Sequence, residues 1–369
     1  MRVDVPMRIG VVGCGNISEV YFNNLTSSAE VEVVACSDVL LEREQKRAAE
    51  FGVARACSNA ELLADPNVQL VVNLTVPAAH AAVTLAAVEA GKHVVSEKPL
   101  ATNMEDARRI EAEAEARDVV VACAPDTFLG PGFQTSLALI RGGRLGAPLA
   151  AAAFMVRRGP ESWHPNAAIF YGPGAGPLLD VGVYYVTHLV SLLGPVRKVA
   201  GMGRILYPEL AVPQGQAIKV TTPTFITGLL EFASGAQAVL LSSFGIARRD
   251  LPYMHVYCSG GVLAVPDPDA FAGPVQVREN DEHSEWRDEP LLFEPTRVRA
   301  GSRGIGVIEA VRAIRAGRQP RASVQLASHV LEVMLAILES NETGRHVTVE
   351  STCRAPEPLP ADADLVATP

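Results

Sequence analysis

Two glycines one residue apart, at the end of a short apolar run, constrain this chain more than any other feature. Residues 9–18 read IGVVGCGNIS: the run ends at Gly13-Cys14-Gly15, and a helix-like segment follows from Asn16 and Ile17. A buried strand that turns sharply into a helix uses one glycine for the turn. It uses a second to let backbone N–H groups approach a pyrophosphate. Ser18 stands where a third glycine is usual, and it is small enough for close helix–strand packing. The next apolar run, residues 31–37, reads VEVVACS and delivers Asp38, placed to accept hydrogen bonds from an adenosine ribose. A structural turn with no ligand is the alternative. The strand before the loop and the acid after it favour a dinucleotide site instead, built on Gly13, Gly15, Asn16, Ile17 and Asp38.

At 369 residues the chain is long enough for two domains with separate cores. Hydrophobic residues make up 48% and charged residues 20%, as in soluble globular chains. A net charge of −9 argues against a nucleic-acid partner, since such binders concentrate positive charge. No stretch approaches the ~18 uninterrupted apolar residues of a membrane span. The start MRVDVPMRIG has no apolar signal core, so the expectation is a cytoplasmic protein without a membrane partner. The six cysteines form no C-x-x-C pair and do not cluster with histidine, which predicts reduced thiols and no metal site.

Downstream of Asp38, helix and strand signals alternate. A charged, alanine-rich helix over residues 40–51 stops at Gly52, and a buried strand over 68–74 leads to Thr75-Val76-Pro77. An alanine-rich helix over 78–90 stops at Gly91, and a short strand at 93–96 delivers Glu97-Lys98-Pro99. Ligands of open parallel sheets bind outside the carboxyl ends of the strands, so Asp38, Thr75 and Lys98 all aim at one crevice. A helix capped near Asn103 and a strand at 119–123 complete a doubly wound α/β half over residues 1–125. The remainder, 126–354, has another rhythm. A helix at 133–142 and a strand at 149–157 precede a Pro-, Gly- and aromatic-rich loop, then a helix at 178–193. Strand-like runs follow, with hairpin signals at Ser234-Gly235 and Ser259-Gly260-Gly261, and the late helices are 309–316 and 325–339. The second domain is expected to be α+β, with a large, open, mostly antiparallel meander-like sheet. Residues 355–369, rich in Pro, Ala and Asp, are expected to form a mobile tail.

Four motifs now stand in order: Gly13-Cys14-Gly15-Asn16-Ile17, Thr75-x-Pro77-x-x-His80, Glu97-Lys98-Pro99, and GAGPLLDVGVY over residues 174–184. With this order and spacing the chain resembles the glucose–fructose oxidoreductase / inositol dehydrogenase family of nicotinamide-dependent enzymes, from residue 7 to about residue 349. The resemblance implies an N-terminal Rossmann domain that binds NAD, with NADP left open. It implies chemistry on a carbohydrate-like alcohol or ketone: a sugar, a polyol or a derivative. It also implies a homodimer or homotetramer built on the second-domain sheet.

Lys98, at a strand end beside a nicotinamide, can hydrogen-bond a substrate hydroxyl, and it matches the family lysine that assists proton transfer. Asp180 and Tyr184 are four residues apart on one expected helix face; the family places Asp there, then His or Tyr. Tyr184 can exchange the substrate proton, and Asp180 can hold substrate or orient Lys98. His188, one turn further, reads as a packed histidine. Thr75, Pro77, His80 and Glu97 fall on the cofactor side, with His80 supporting the nicotinamide ribose. Trp163 and His164 suit stacking on a sugar and hydrogen bonding to its hydroxyls, or else cover the second-domain core. The chain departs from the family where an Arg-Phe pair is usual and Ala124-Pro125-Asp126-Thr127-Phe128 stands instead. Two rival functions stay open. One is net non-redox sugar chemistry, such as glycoside cleavage or epimerisation, by transient oxidation with a retained cofactor. The other is a non-catalytic sensor.

Overall fold

The computed structural model describes residues 5–164, 166–211, 217–247, 250–293, 302–363 and 365; Pro165 of the aromatic loop and the end of the expected tail lie outside them. The chain divides into two units. One comprises residues 1–130, 293–328 and 359–369, and the other 131–292 and 329–358.

In the first unit six strands form one sheet: β1 (Met7–Val12), β2 (Val31–Ser37), β3 (Arg55–Ala56), β4 (Leu70–Asn73), β5 (His93–Ser96) and β6 (Val121–Cys123). Their spatial order is β3-β2-β1-β4-β5-β6, and every pair is parallel. The connecting helices are α1 (Ser18–Leu25), α2 (Leu41–Phe51), α3 (Asn59–Ala64), α4 (Pro77–Glu89) and α5 (Met104–Ala116). The central strands are mostly apolar because helices cover both faces of a parallel sheet; β4 is buried at every position. Helix starts obey local chemistry. Ser58 and Glu61 form a capping box on α3, Pro77 opens α4, and the Asn103 side chain accepts the Asp106 N–H at 2.9 Å. Strand order reverses between β1 and β4, where doubly wound sheets open a crevice. Register matters there: Val12 pairs with Ser37 and with Asn73, Asn73 with Ser96, and Ser96 with Cys123. Five strands thus end in one row, and the segments after them leave from a single edge.

The second unit holds α6 (Pro131–Arg141), β7 (Pro148–Val156), a wide π turn at Leu178–Gly182, and α7 (Val183–Leu193). Its strands continue with β8 (Val196–Arg204), β9 (Glu209–Leu210), β10 (Ile218–Lys219), β11 (Phe225–Phe232), β12 (Gln237–Ser243) and β13 (Met254–Cys258). β14 (Gly261–Val265), β15 (Gln276–Glu279) and β16 (Arg287–Asp288) follow. The large sheet runs β16-β15-β14-β13-β7-β12-β11-β8 and ends on the strand Val347–Thr348. The β11–β12 and β13–β14 hairpins form at the glycine turns, as expected. The meander does not. β7, first in sequence, inserts between β12 and β13 and pairs parallel to β12, so the sheet is mixed. Burial alternates along β11 and β12, leaving one sheet face packed and the other half-open.

Two expectations about boundaries are corrected. The first unit does not end at residue 125, because α8 (Ile305–Arg315) joins its core. Val307, Ile308, Ala310 and Val311 of α8 pack with Ile9, Val11, Tyr21, Phe22 and Leu25. Asp126, from the segment after β6, caps that helix: its Oδ2 accepts the N–H groups of Gly304 at 2.8 Å and Gly306 at 3.2 Å. Residues 322–323 also cover the outer edge of the sheet, with Cys123 N–H donating to the Ala322 carbonyl at 2.9 Å. The final helix, α9 (Val324–Thr343), belongs to the second unit from His329 onward. It lies against the sheet where two glycines, Gly201 of β8 and Gly228 of β11, pair across the strands beneath Ile337. A Cβ on Gly201 would sit 2.2 Å from the Ile337 carbonyl oxygen, so nothing larger fits. The second correction concerns the separate tail expected over residues 355–369: residues 355–358 belong with the second unit and the described residues after them with the first, where Leu359 and Leu365 are buried.

Candidate active site

The glycine loop shows why each glycine is there. Gly13 adopts φ +102°, and a Cβ on it would lie 2.6 Å from the backbone of Leu74. Only glycine combines that conformation with that approach. Gly15 is the opposite case: a Cβ built there meets nothing within 4 Å, so the loop leaves open space where a pyrophosphate would approach. Asn16 and Ile17 are exposed at the start of α1 beside it. Ser18 is fully buried, donates to the Gly15 carbonyl at 2.6 Å and accepts from Arg47 Nε at 3.2 Å, filling the role expected of a small third residue. Asp38 closes the loop. Its Oδ2 accepts the Cys14 N–H at 2.7 Å and its Oδ1 the Leu40 N–H at 2.9 Å. Around it, Ile17, Val39, Leu40, Leu41 and Val76 expose aliphatic side chains from the loops after β1, β2 and β4, Val39 to 97%. A glycine cradle beside an exposed aliphatic rim fits a dinucleotide: a phosphate over the loop and a flat base against the rim.

The edge after β4 and β5 is knit by buried polar groups. Asn73 uses both ends of its amide: Oδ1 accepts from Thr75 N–H at 3.2 Å and Thr75 Oγ1 at 2.7 Å, and Nδ2 donates to the His80 carbonyl at 3.0 Å and Thr84 Oγ1 at 3.1 Å. The His80 ring is buried, with Nδ1 2.6 Å from the Pro99 carbonyl oxygen and Nε2 2.9 Å from that of Thr75. Both ring nitrogens therefore face backbone carbonyls. Glu97 is buried too. Oε1 accepts from Tyr21 Oη at 2.8 Å and Oε2 from the Lys98 N–H at 3.0 Å, so this carboxylate organises the strand end from within. Burial, and then the Glu97 charge, hold the Tyr21 phenol well above the usual tyrosine range; it stays a donor. Lys98 is half-buried at the end of this arrangement, and Pro77 stands exposed in the first turn of α4. Neither Asn73 nor Tyr21 announces itself in the sequence, since each is one polar residue in an otherwise ordinary element.

In the second unit, Asp180 stands half-buried inside the π turn Leu178–Gly182, its N–H donating to the Gly176 carbonyl at 3.0 Å. The expectation of one regular helix from residue 178 is corrected: regular α geometry begins at Val183, just before the buried Tyr184. π turns recur at functional sites, because the extra residue re-aims the side chains around it. Trp163 is 67% exposed, which removes the core-lid alternative. Its ring meets His164 edge-on at 5.4 Å, and His164 meets Phe170 at 4.9 Å. His164 Nδ1 accepts the Asn166 N–H at 3.1 Å, which leaves Nε2–H as the ring's outward donor.

Comparison with known proteins decides the family. The oxidoreductase family profile with an NAD-binding Rossmann fold, GFO_IDH_MocA, matches residues 7–124, and the GFO/IDH/MocA C-terminal domain matches residues 133–264. The chain is a GFO/IDH/MocA oxidoreductase. A myo-inositol 2-dehydrogenase from Thermotoga maritima is 28% identical over 239 residues, 64% of this chain and 68% of that protein. A 1,5-anhydro-D-fructose reductase from Ensifer adhaerens is 31% identical over 211 residues, 53% of this chain and 62% of that protein. The crystal structure of an NAD binding oxidoreductase from Klebsiella pneumoniae has the same fold, with a TM-score of 0.82 at 22% identity over 93% of this chain and 99% of that one. No helix among the described residues is long and apolar enough to cross a membrane.

Where the family's Arg-Phe pair is usual, this GFO/IDH/MocA chain buries an acid that is tied to a later segment of the same unit. Asp126 is buried, and Arg303 Nη1, from a distant segment, lies 3.5 Å from its Oδ1. Burial pushes the Asp126 carboxyl up and Arg303 pulls it back. His188 is equally structural: its Nδ1 lies 2.7 Å from the Tyr184 carbonyl oxygen and its ring packs edge-on against Phe133 at 4.1 Å. Burial holds its pKa down at about 3. The sign of the consequence follows. Below the ordinary histidine value near 6.5 the unfolded chain takes up a proton that the folded chain refuses. Stability therefore falls with falling pH, by about 1.4 kcal/mol per unit over that window. We expect denaturation at pH 5 to show a loss of about 2 kcal/mol from this group relative to pH 7. His188→Gln should flatten that slope. An equal slope in wild type and variant would show that His188 is not the group responsible.

Proposed function

We propose that this oxidoreductase interconverts a secondary alcohol and a ketone on a sugar- or polyol-like substrate. The observation that carries the reading is Lys98 at the end of β5, its N–H held by Glu97 and the next carbonyl beside His80. A side chain whose backbone is fixed on both sides can present one proton donor or acceptor at a constant place. Bound NAD would supply the hydride acceptor in one direction and the donor in the other. The protein's part is the proton: the hydroxyl proton passes to Tyr184, with Lys98 assisting, as the carbonyl forms, and returns from Tyr184 in reduction. Asp180 holds the substrate or orients Lys98, and Trp163 with His164 offers an exposed ring and an N–H to a polyhydroxylated ligand. The names of the inositol dehydrogenase and anhydrofructose reductase relatives support the substrate class.

Tyr184→Phe is expected to lower kcat by about 100-fold or more, the loss that follows removal of a general acid–base. Lys98→Ala should be similarly damaging with NAD binding kept, and His188→Gln should retain most activity. Steady-state kinetics on a panel of sugars and polyols reads this out. A harmless Tyr184→Phe beside an inactive His188→Gln would put the proton on the wrong residue.

Cofactor preference should be for NAD over NADP. Asp38 is pinned by two backbone N–H groups, where it would repel a 2′-phosphate, and its neighbours Val39 and Leu40 bring no positive charge. The ratio of kcat/KM for the two cofactors decides it, and a clear NADP preference would overturn this role for Asp38.

The half-open sheet face is read as the contact with a second copy. Met202 is 75% and Leu229 61% exposed, and their strands pair on that face with Val239, Leu241 and Tyr257 nearby in the sheet order. So much apolar surface on one face is a liability unless it is covered. Sedimentation at micromolar concentration should give a dimer or tetramer that Leu229→Glu weakens. A wild-type monomer would refute the assignment.

A further inference from the structure

The His80 ring sits between two backbone carbonyls. Nδ1 is 2.6 Å from the Pro99 carbonyl oxygen and Nε2 is 2.9 Å from the Thr75 carbonyl oxygen. Both distances fall in the hydrogen-bond range. Carbonyl oxygens only accept, so the ring donates, and the tautomer sets which carbonyl receives the N–H. The ring then joins the loop after β4 to the turn after β5, and those two segments carry Thr75 and Lys98. The rest of the neighbourhood is arranged to hold the same geometry. Asn73 Nδ2 donates to the carbonyl of His80 itself and its Oδ1 accepts twice from Thr75, while Glu97 Oε2 accepts the Lys98 N–H at 3.0 Å. Lys98 is thus flanked, with Glu97 on its own N–H and His80 on the carbonyl of the residue after it.

We propose that His80 is a positioning residue for Lys98, its buried ring held between the Pro99 carbonyl and the Thr75 carbonyl and so fixing the backbone that presents the lysine. The proposal rests on the reading of Lys98 as a proton-handling residue. His80 itself touches no reacting atom. A glutamine at this position can donate to one of the two carbonyls but cannot span both.

Kinetics and cofactor binding test it together. In kinetics, His80→Gln should lower kcat by about 10- to 100-fold, as for a displaced reacting group. Its NAD dissociation constant, read by nucleotide fluorescence, should change by less than about three-fold if the loss acts through Lys98 alone. In a Lys98→Ala background the same change should cost less than about two-fold, because its effect runs through the missing lysine. An equal loss in both backgrounds overturns the proposal while leaving the role of Lys98 intact. Full activity of Lys98→Ala alone overturns the role of Lys98, and the proposal with it. If His80→Gln fails to fold, His80→Asn takes its place in the cycle.

Discussion

The first unit depends on a backbone approach that only glycine permits. Gly13 presses against the carbonyl of Leu74 and the N–H of Thr75, at distances a Cβ would cut to 2.6 and 2.9 Å. The contact lies where β1 and β4 part company, so it sets how closely the phosphate loop and the loop after β4 stack. A side chain there would displace Thr75, which is also the residue that Asn73 and His80 hold. The pyrophosphate cradle and the lysine after β5 are therefore linked through a short stack of backbone. Two of the four motifs are ends of that one stack.

Polar burial then makes this edge rigid. A buried polar group left without a partner costs about 1–3 kcal/mol, so such groups persist where they are fully used. Asn73 uses all four hydrogen-bonding positions of its amide, and Glu97 takes a donor on each oxygen. Asp126 spends one oxygen on the N-terminus of α8 and turns the other toward Arg303. Such an edge shows to solvent Val39, Leu40 and Val76, with Asn16 and the open space over Gly15 beside them. That division suits a nucleotide, whose phosphates need backbone N–H groups and whose base needs a flat apolar support.

Much of this was legible in the sequence, because the governing signals are local. Glycines that permit a turn, apolar runs that must be buried on both faces, and the residues delivered at their ends all lie within about ten positions of each other. What was not legible is non-local. The amphipathic pattern of residues 305–315 shows that a helix needs a core, yet nothing in it says that the core is that of Ile9 and Phe22, three hundred residues earlier. The insertion of β7 between β12 and β13 is likewise a choice among pairings that hairpin turns do not specify. Nor does the composition of residues 355–369 tell that Leu359 and Leu365 are buried. At the site, Lys98 stood out by its motif, whereas Tyr21 and Asn73, which hold the frame around it, are set by tertiary contacts alone.

The second unit separates two residues that spacing makes equivalent. Tyr184 and His188 are one turn apart in α7, both buried, and either type can move a proton. Hydrogen bonding tells them apart. The Nδ1–H of His188 is directed back along the helix to the carbonyl of Tyr184, and burial that holds its pKa near 3 leaves it neutral at any ordinary pH. A neutral ring committed to a backbone carbonyl and wedged against Phe133 is a brace. It braces the residue whose hydroxyl the proposed chemistry uses, just where the wide turn carrying Asp180 gives way to regular helix. On the N-terminal side of Tyr184 the helix is widened and Asp180 is re-aimed, and on the C-terminal side it is stiffened by a side-chain hydrogen bond. A hydroxyl at that junction inherits the order of the braced turn while staying one step from the carboxylate.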